Sequence, residues 1–281
     1  MSSGQIIVLG AIAGFTIFLG LPIGRLKNPA PRLQAFLNAV AIGVLVFLLW
    51  DVLGHAIEPV ESALVEASVE HRGDWSTFVA LAAVVVVGIT LGMMSLVYYD
   101  RWMARRDTSS IGPGAVAAVD LRRTSAMFAS PARRLALLIA VGIGLHNFSE
   151  GLAIGQAGAK GEISLAVLLI IGFGLHNATE GFGIVAPLTT EDQRPGWGLL
   201  ALLGLIGGGP TFVGTIIGQS VVNDYLFVGF LALAAGSILY VIIQLLKVAF
   251  KLGYKELMAW GILLGLFAGL ATDFILVAAG A

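Results

Sequence analysis

Eight long apolar runs constrain the fold more than any other feature of this sequence. Each is close to the roughly 20 residues that a helix needs to cross the hydrocarbon core of a bilayer. In lipid, a spanning segment must satisfy its own backbone hydrogen bonds, which favours helices. The runs therefore predict an all-α, polytopic membrane bundle of eight transmembrane helices. They cover residues 5–24, 34–55, 77–99, 133–157, 162–188, 196–219, 225–249 and 257–279.

The composition points to lipid as the solvent. Hydrophobic residues make up 58% of the 281 residues and charged residues 12%, against roughly 25% charged in soluble domains. We expect one transmembrane domain over residues 1–281, surrounded by the bilayer. The formal net charge of −1 gives no reason to expect a nucleic-acid partner. The absence of Cys excludes disulfides, thiolate ligands and a Cys nucleophile.

The distribution of Lys and Arg predicts the orientation, because cationic connections stay on the cytoplasmic side. With eight spans, 14 of the 16 Lys and Arg residues fall on one side. Both termini are therefore expected outside the cytoplasm, in a cell (inner) membrane protein. The first run begins near Gln5 without a basic leader and is interpreted as a retained span. The longest connection, residues 100–131, is expected to be a cytoplasmic loop.

A repeated motif occupies the fourth and fifth runs. GIGLHNFSEGLAI from Gly142 to Ile154 recurs as GFGLHNATEGFGI from Gly172 to Ile184, with eight identical positions. His and Glu in each copy are four residues apart, so they share one face of a helix, with Asn beside them. Consecutive spans run antiparallel, so the two polar faces are expected to meet near the bilayer centre. The residues concerned are His146, Asn147 and Glu150, and His176, Asn177 and Glu180.

The motif places two carboxylates in the hydrocarbon region. Each would cost at least about 2.5 to 3.5 kcal/mol to insert without compensation. A divalent cation held by two carboxylates and two imidazoles would balance the charge. Nitrogen and oxygen ligands suit Zn(II), Fe(II), Mn(II), Co(II) or Cd(II) and do not select among them. The alternative is a set of polar side chains that only hydrogen-bond across the helix pair.

At these residues the sequence resembles the ZIP (ZRT/IRT-like) family of divalent metal transporters, whose fourth and fifth of eight spans carry His-Asn-x-Pro-Glu-Gly or close variants. The resemblance implies metal uptake into the cytoplasm, with the His and Glu of each motif as transport ligands. These correspond to His146, Glu150, His176 and Glu180. It also implies that Asn147 and Asn177 contribute to a second metal position in members with a two-metal centre.

The sequence departs from the family pattern at several positions. Ser149 and Thr179 stand where the family has Pro. Gly209, before Pro210, is aligned with a Glu of many relatives, and Gln244 with a frequent acidic residue. The loss of these carboxylates predicts one metal position rather than two.

Outside the motif, the outer ends of two runs carry candidate residues for a metal entrance. Asp51, His55 and Glu58 follow helical spacing near the outer end of the second run, and Asp273 lies in the last. The alternative for all four is ordinary solvation at the membrane interface.

The predicted function is transport of a divalent metal ion, zinc or similar, into the cytoplasm by alternating access. No prosthetic group and no enzymatic activity are expected, and a homodimer is left open. The alternatives are a metal exporter and an intramembrane zinc-dependent hydrolase. No His-Glu-x-x-His motif occurs, which disfavours the hydrolase.

Overall fold

A computed structural model describes residues 2–26, 31–109, 130–159, 170, 173–174, 177–178, 180–190, 194–220 and 223–278. Over these residues the chain is almost entirely helical and forms no strand. The helices of the described chain are α1 Ser3–Phe15, α2 Pro31–Ser68, α3 Trp75–Ser109, α4 Pro131–Ala159, α5 Trp197–Gly218, α6 Asp224–Leu252 and α7 Lys255–Ala278.

Seven helical segments in this part of the chain are long and apolar enough to cross a membrane. The first joins α1 to two 3-10 turns and ends at Arg25; the others lie in α2 to α7. They match seven of the eight predicted runs, and they confirm an all-α membrane protein. The remaining run, 162–188, is described only in part. Its described end is helical over 180–185 and continues as a 3-10 turn, Ala186–Thr190.

The second helix is longer than predicted. The second run was predicted to end at residue 55, but α2 continues as a helix to Ser68. Three alanines are buried along this extension, and Ala63 packs in an apolar cluster with Leu81 and Val228. Hydropathy did not predict this extension of α2, because its buried face is made of small residues that lie between acidic ones in the sequence.

The connection predicted over residues 100–131 is shorter than expected. Helix α3 continues to Ser109, and α4 begins at Pro131. The Ser130 side chain caps α4 by accepting a hydrogen bond from the Arg133 amide at 3.1 Å, a usual way to start a helix. Residues 110–129 lie outside the described residues.

Helix α4 lies at the centre of the bundle. It packs against α1, α5 and α6, whereas α7 packs mainly on α2 and α3 mainly on α6. In the most apolar window of each helix, 78% of α4 residues are buried, against 22% for α3 and 17% for α7. The first motif copy therefore lies on the helix that is best shielded from lipid.

Small residues bring α4 and α5 close together beside the motif. A Cβ atom added to Gly151 would lie 2.8 Å from the backbone nitrogen of Thr215, and one added to Gly214 would lie 3.0 Å from that of Leu152. Such distances are too short for real side chains, so glycine is required at both positions. Close packing through small residues is common between membrane helices.

Candidate metal site

Helix α4 positions the first motif copy. His146, Asn147 and Glu150 are each no more than 4% exposed, and Ser149 beside them is equally buried. The Nε2 atom of His146 lies 3.1 Å from Oε1 of Glu150, one helical turn away. The predicted stacking of His and Glu on one face of the helix is thus observed in this copy. It places an imidazole nitrogen beside a carboxylate in the protein interior.

Asn147 joins the two motif copies. Its Nδ2 donates to Oε2 of Glu180 at 3.2 Å and to the backbone carbonyl of Gly207 in α5 at 3.0 Å. Glu180 is 1% exposed, at the start of the described 180–185 helix. The polar faces of the two copies therefore meet, and α5 completes the contact with a main-chain oxygen.

Asn177 is held in a similar way. Its Nδ2 donates to the carbonyl of Ala13 in α1 at 3.0 Å, and the residue is fully buried. A backbone carbonyl can only accept, so this contact and the Asn147 contact with Gly207 fix which amide atom is nitrogen. The Oδ1 atoms of both asparagines are buried with no hydrogen-bond partner among the described residues. These two oxygens are available to a cation.

His176, the imidazole of the second motif copy, lies outside the described residues. Within the described chain, no three His, Asp or Glu side chains form a cluster that could hold a metal ion. The site consists there of the His146–Glu150 pair and of Glu180 linked to Asn147. One imidazole, two carboxylates and two amide oxygens are the ligand atoms that the described part offers.

The sequence analysis did not predict three polar groups in this region: the hydroxyls of Ser149 and Thr211 and the backbone carbonyl of Gly207. The Oγ of Ser149 and the Oγ1 of Thr211 are buried without a hydrogen-bond partner in the described chain. Thr211 packs against Gly14 of α1, and its carbonyl lies against Gly151. A polar residue after the glycine run of α5 was a usable signal. The Gly207 carbonyl left no such signal, because every residue has one.

The interpretation of Gly209 as a lost ligand position is not supported. Gly209 shares a face of α5 with Leu205, Val213 and Ile216, which are 53%, 45% and 41% exposed. A Cβ atom there would have no neighbour within 4 Å. A Glu at this position would therefore point away from α4 and α1. Gln244 also lies away from the motif and accepts a hydrogen bond from Lys247 at 3.4 Å.

The candidate entrance residues are only partly brought together. His55 lies 3.6 Å from Asp51 through its Nδ1, on an exposed part of α2. Asp273 is partly exposed on α7, the helix that packs beside α2. The described residues around them hold no cluster of three potential ligands.

No protein-family model and no curated protein matches this chain.

Proposed function

We propose that the chain is a ZIP-like carrier of divalent transition-metal ions with eight membrane spans. The cargo, zinc or a similar ion, enters the cytoplasm, and both termini lie on the opposite side. The proposal depends on the repeated motif and on the chemistry of its buried groups.

One observation carries the proposal: Asn147 of the first motif copy is hydrogen-bonded both to the buried Glu180 of the second copy and to the Gly207 carbonyl of α5. Glu150 and Glu180 are at most 4% exposed, although Glu is almost never fully buried unless it is paired. Asn147 commits its nitrogen to Glu180 and to a carbonyl of α5, so its oxygen is left for a ligand. A site for an anion or a neutral solute would instead present donors.

The charges fit one divalent ion. With Glu150 and Glu180 ionised and His146 neutral, the two glutamates carry a charge of −2. One divalent cation cancels this charge in a low-dielectric interior. The imidazole nitrogen supplies the preference for a transition metal over calcium or magnesium. His176, in the equivalent position of the second copy, is proposed as the fourth ligand.

The helix environment fits alternating access. Close backbone contacts between α4 and α5, which need glycine at Gly151 and Gly214, let helices shift without large side chains to repack. Carrier sites near the midplane commonly open in turn to each side as one group of helices moves. In this mechanism Glu150 and Glu180 bind the ion, and Asn147 keeps the two copies together.

The test is ion flux in proteoliposomes that contain a zinc-sensitive dye. We expect saturable zinc entry that is lost in a Glu150→Gln/Glu180→Gln variant and retained in Thr272→Val. Thr272 lies on the outer helix α7 and donates back to its own helix, to the Ala268 carbonyl at 2.9 Å. Imposing the gradient in both directions separates an importer from an exporter. Zinc flux equal in wild type and the double Glu variant would overturn the proposal.

Metal stoichiometry tests the charge argument separately. One tightly bound ion per chain is expected, because a second divalent ion would leave two positive charges unbalanced. Since Gly209 faces outward, Gly209→Glu should not raise the number. Elemental analysis of the purified protein measures this directly, and two fully occupied ions in the unmodified chain would contradict the assignment.

A further inference from the structure

A cavity of about 500 Å³ lies at the end of the bundle where α4 begins and α6 ends. Three cationic side chains line it: Arg134 of α4, and Lys247 and Lys251 of α6. The two lysines are four residues apart and so lie on the same face of α6. This cavity is separate from the candidate metal site, because its lining on α4 ends at Leu138, about two turns before His146.

One acidic residue, Asp100 of α3, also lines the cavity. Its Oδ2 accepts a hydrogen bond from the Tyr240 hydroxyl at 3.1 Å. Among the described residues the lining therefore carries three positive charges and one negative charge. The first turn of α4 is part of the lining, and the N-terminus of a helix of this length adds partial positive charge.

The rest of the lining is largely apolar. Leu135 and Leu138 of α4 and Val248 and Leu252 of α6 border the same space. The cavity thus offers cations on one part of its surface and hydrocarbon on another. An anionic phospholipid presents both surfaces, in its phosphate and its acyl chains, and basic pockets between membrane helices bind such headgroups.

We propose that this cavity binds a phosphate-bearing anion, which is either the headgroup of an anionic phospholipid or free phosphate. The apolar part of the lining favours the lipid. A divalent cation is not the ligand, because three cations repel it and one carboxylate does not offset them. The proposal is independent of the transport site.

The experiment is native mass spectrometry of the full-length protein in detergent, titrated with phosphatidylglycerol or with phosphatidylcholine of the same acyl chains. The variants are Lys247→Gln, Lys251→Gln and Lys255→Gln. Lys255 is exposed at the start of α7 and does not line the cavity, so it controls for charge removed nearby. Inorganic phosphate, added as a competitor, distinguishes the two sources of the anion.

We expect tighter binding of phosphatidylglycerol than of phosphatidylcholine. Each cavity variant should weaken it about fivefold, as a contact of about 1 kcal/mol per cation implies, while Lys255→Gln changes it less than about twofold. If phosphate in the millimolar range displaces the lipid with the same dependence on the lysines, the site takes phosphate itself; no displacement assigns it to the lipid. Equal affinity for both lipids, or equal loss in Lys251→Gln and Lys255→Gln, would overturn the proposal.

Discussion

The most apolar stretches of helices α4 and α7 have similar mean hydropathy but opposite environments. In their most apolar windows, 78% of α4 is buried inside the protein and 17% of α7. Helix α7 instead exposes large apolar side chains such as Trp260, Phe267 and Phe274. Hydropathy therefore identifies a span but does not tell whether protein or lipid surrounds it.

The polar content of the two helices explains the difference. Within one turn α4 carries His146, Asn147, Ser149 and Glu150, and all four are buried. Such groups in contact with lipid would have no partners, so neighbouring helices must enclose them. In α7 the Thr272 hydroxyl bonds back to its own helix, so this group needs no polar neighbour. The interior helix is the one with the polar cluster.

The largest expected effect comes from removing a carboxylate of the interior cluster. We expect Glu150→Gln and Glu180→Gln each to lower zinc transport at least about 100-fold, since loss of groups that merely support ligands costs about 10- to 100-fold. Glutamine keeps the volume and polarity, so the fold should survive. Initial rates in proteoliposomes, with folding checked by gel filtration, measure the effect.

The matched change in the outer helix is Thr272→Val, which removes a polar group from α7 without changing side-chain volume much. We expect transport within about twofold of wild type, as for most surface substitutions. A loss as large as that of the glutamate variants would mean that α4 and α7 do not differ in the way their burial indicates.

Acidification should inhibit zinc uptake through the interior cluster of α4. Metal ligation needs a neutral imidazole, and imidazole ordinarily titrates at about pH 6.5. We therefore expect zinc uptake to fall several-fold between about pH 7.5 and 5, with the same pH on both sides of the vesicle. Uptake should recover when the pH is returned to 7.5, which excludes unfolding. A flat profile would argue against direct ligation by His146.

Much of this arrangement could be predicted from local sequence. The lengths of the apolar runs predicted seven helices that the structure contains. The four-residue spacing of His and Glu predicted the contact between His146 and Glu150. The contacts of Asn147 with Glu180 and with the Gly207 carbonyl could not be predicted from spacing within one helix. They depend on which helices are neighbours and on how closely small residues let them approach. For the same reason the outward position of Gly209 was missed.

Glycine substitutions test the close packing around the interior helix. At Gly151 an added Cβ would lie 2.8 Å from the Thr215 nitrogen, whereas at Gly209 nothing lies within 4 Å. We expect Gly151→Ala to destabilise the protein by about 1 to 3 kcal/mol, as overpacking usually does. Gly209→Ala should be neutral or stabilising by up to about 1 kcal/mol, because alanine favours the helix.

Unfolding of both variants in mixed micelles, with sodium dodecyl sulfate as the denaturant, provides the comparison. If Gly151→Ala and Gly209→Ala unfolded at the same denaturant fraction, the close contact between α4 and α5 would be contradicted. Each variant serves as the control for the other, because both exchange the same two residue types within apolar helices.

The smallest expected effect lies outside the membrane, at the start of α3. Asp74 accepts hydrogen bonds from the Ser76 hydroxyl at 2.6 Å and from the Ser76 amide at 3.1 Å, and these bonds lower the pKa of its carboxyl group. A lowered pKa in the folded state stabilises the protein above the unfolded value near 3.8, and this stabilisation is lost as the pH falls through the folded value. Asp74→Ala should therefore lower the thermal midpoint slightly at pH 7 and have less effect at pH 3.

Asp74→Asn keeps a good capping side chain that does not titrate, so it should match wild type more closely at pH 7 and lack this pH dependence. A loss in Asp74→Ala that is the same at pH 7 and pH 3 would show that the ionised carboxylate does not stabilise the start of α3.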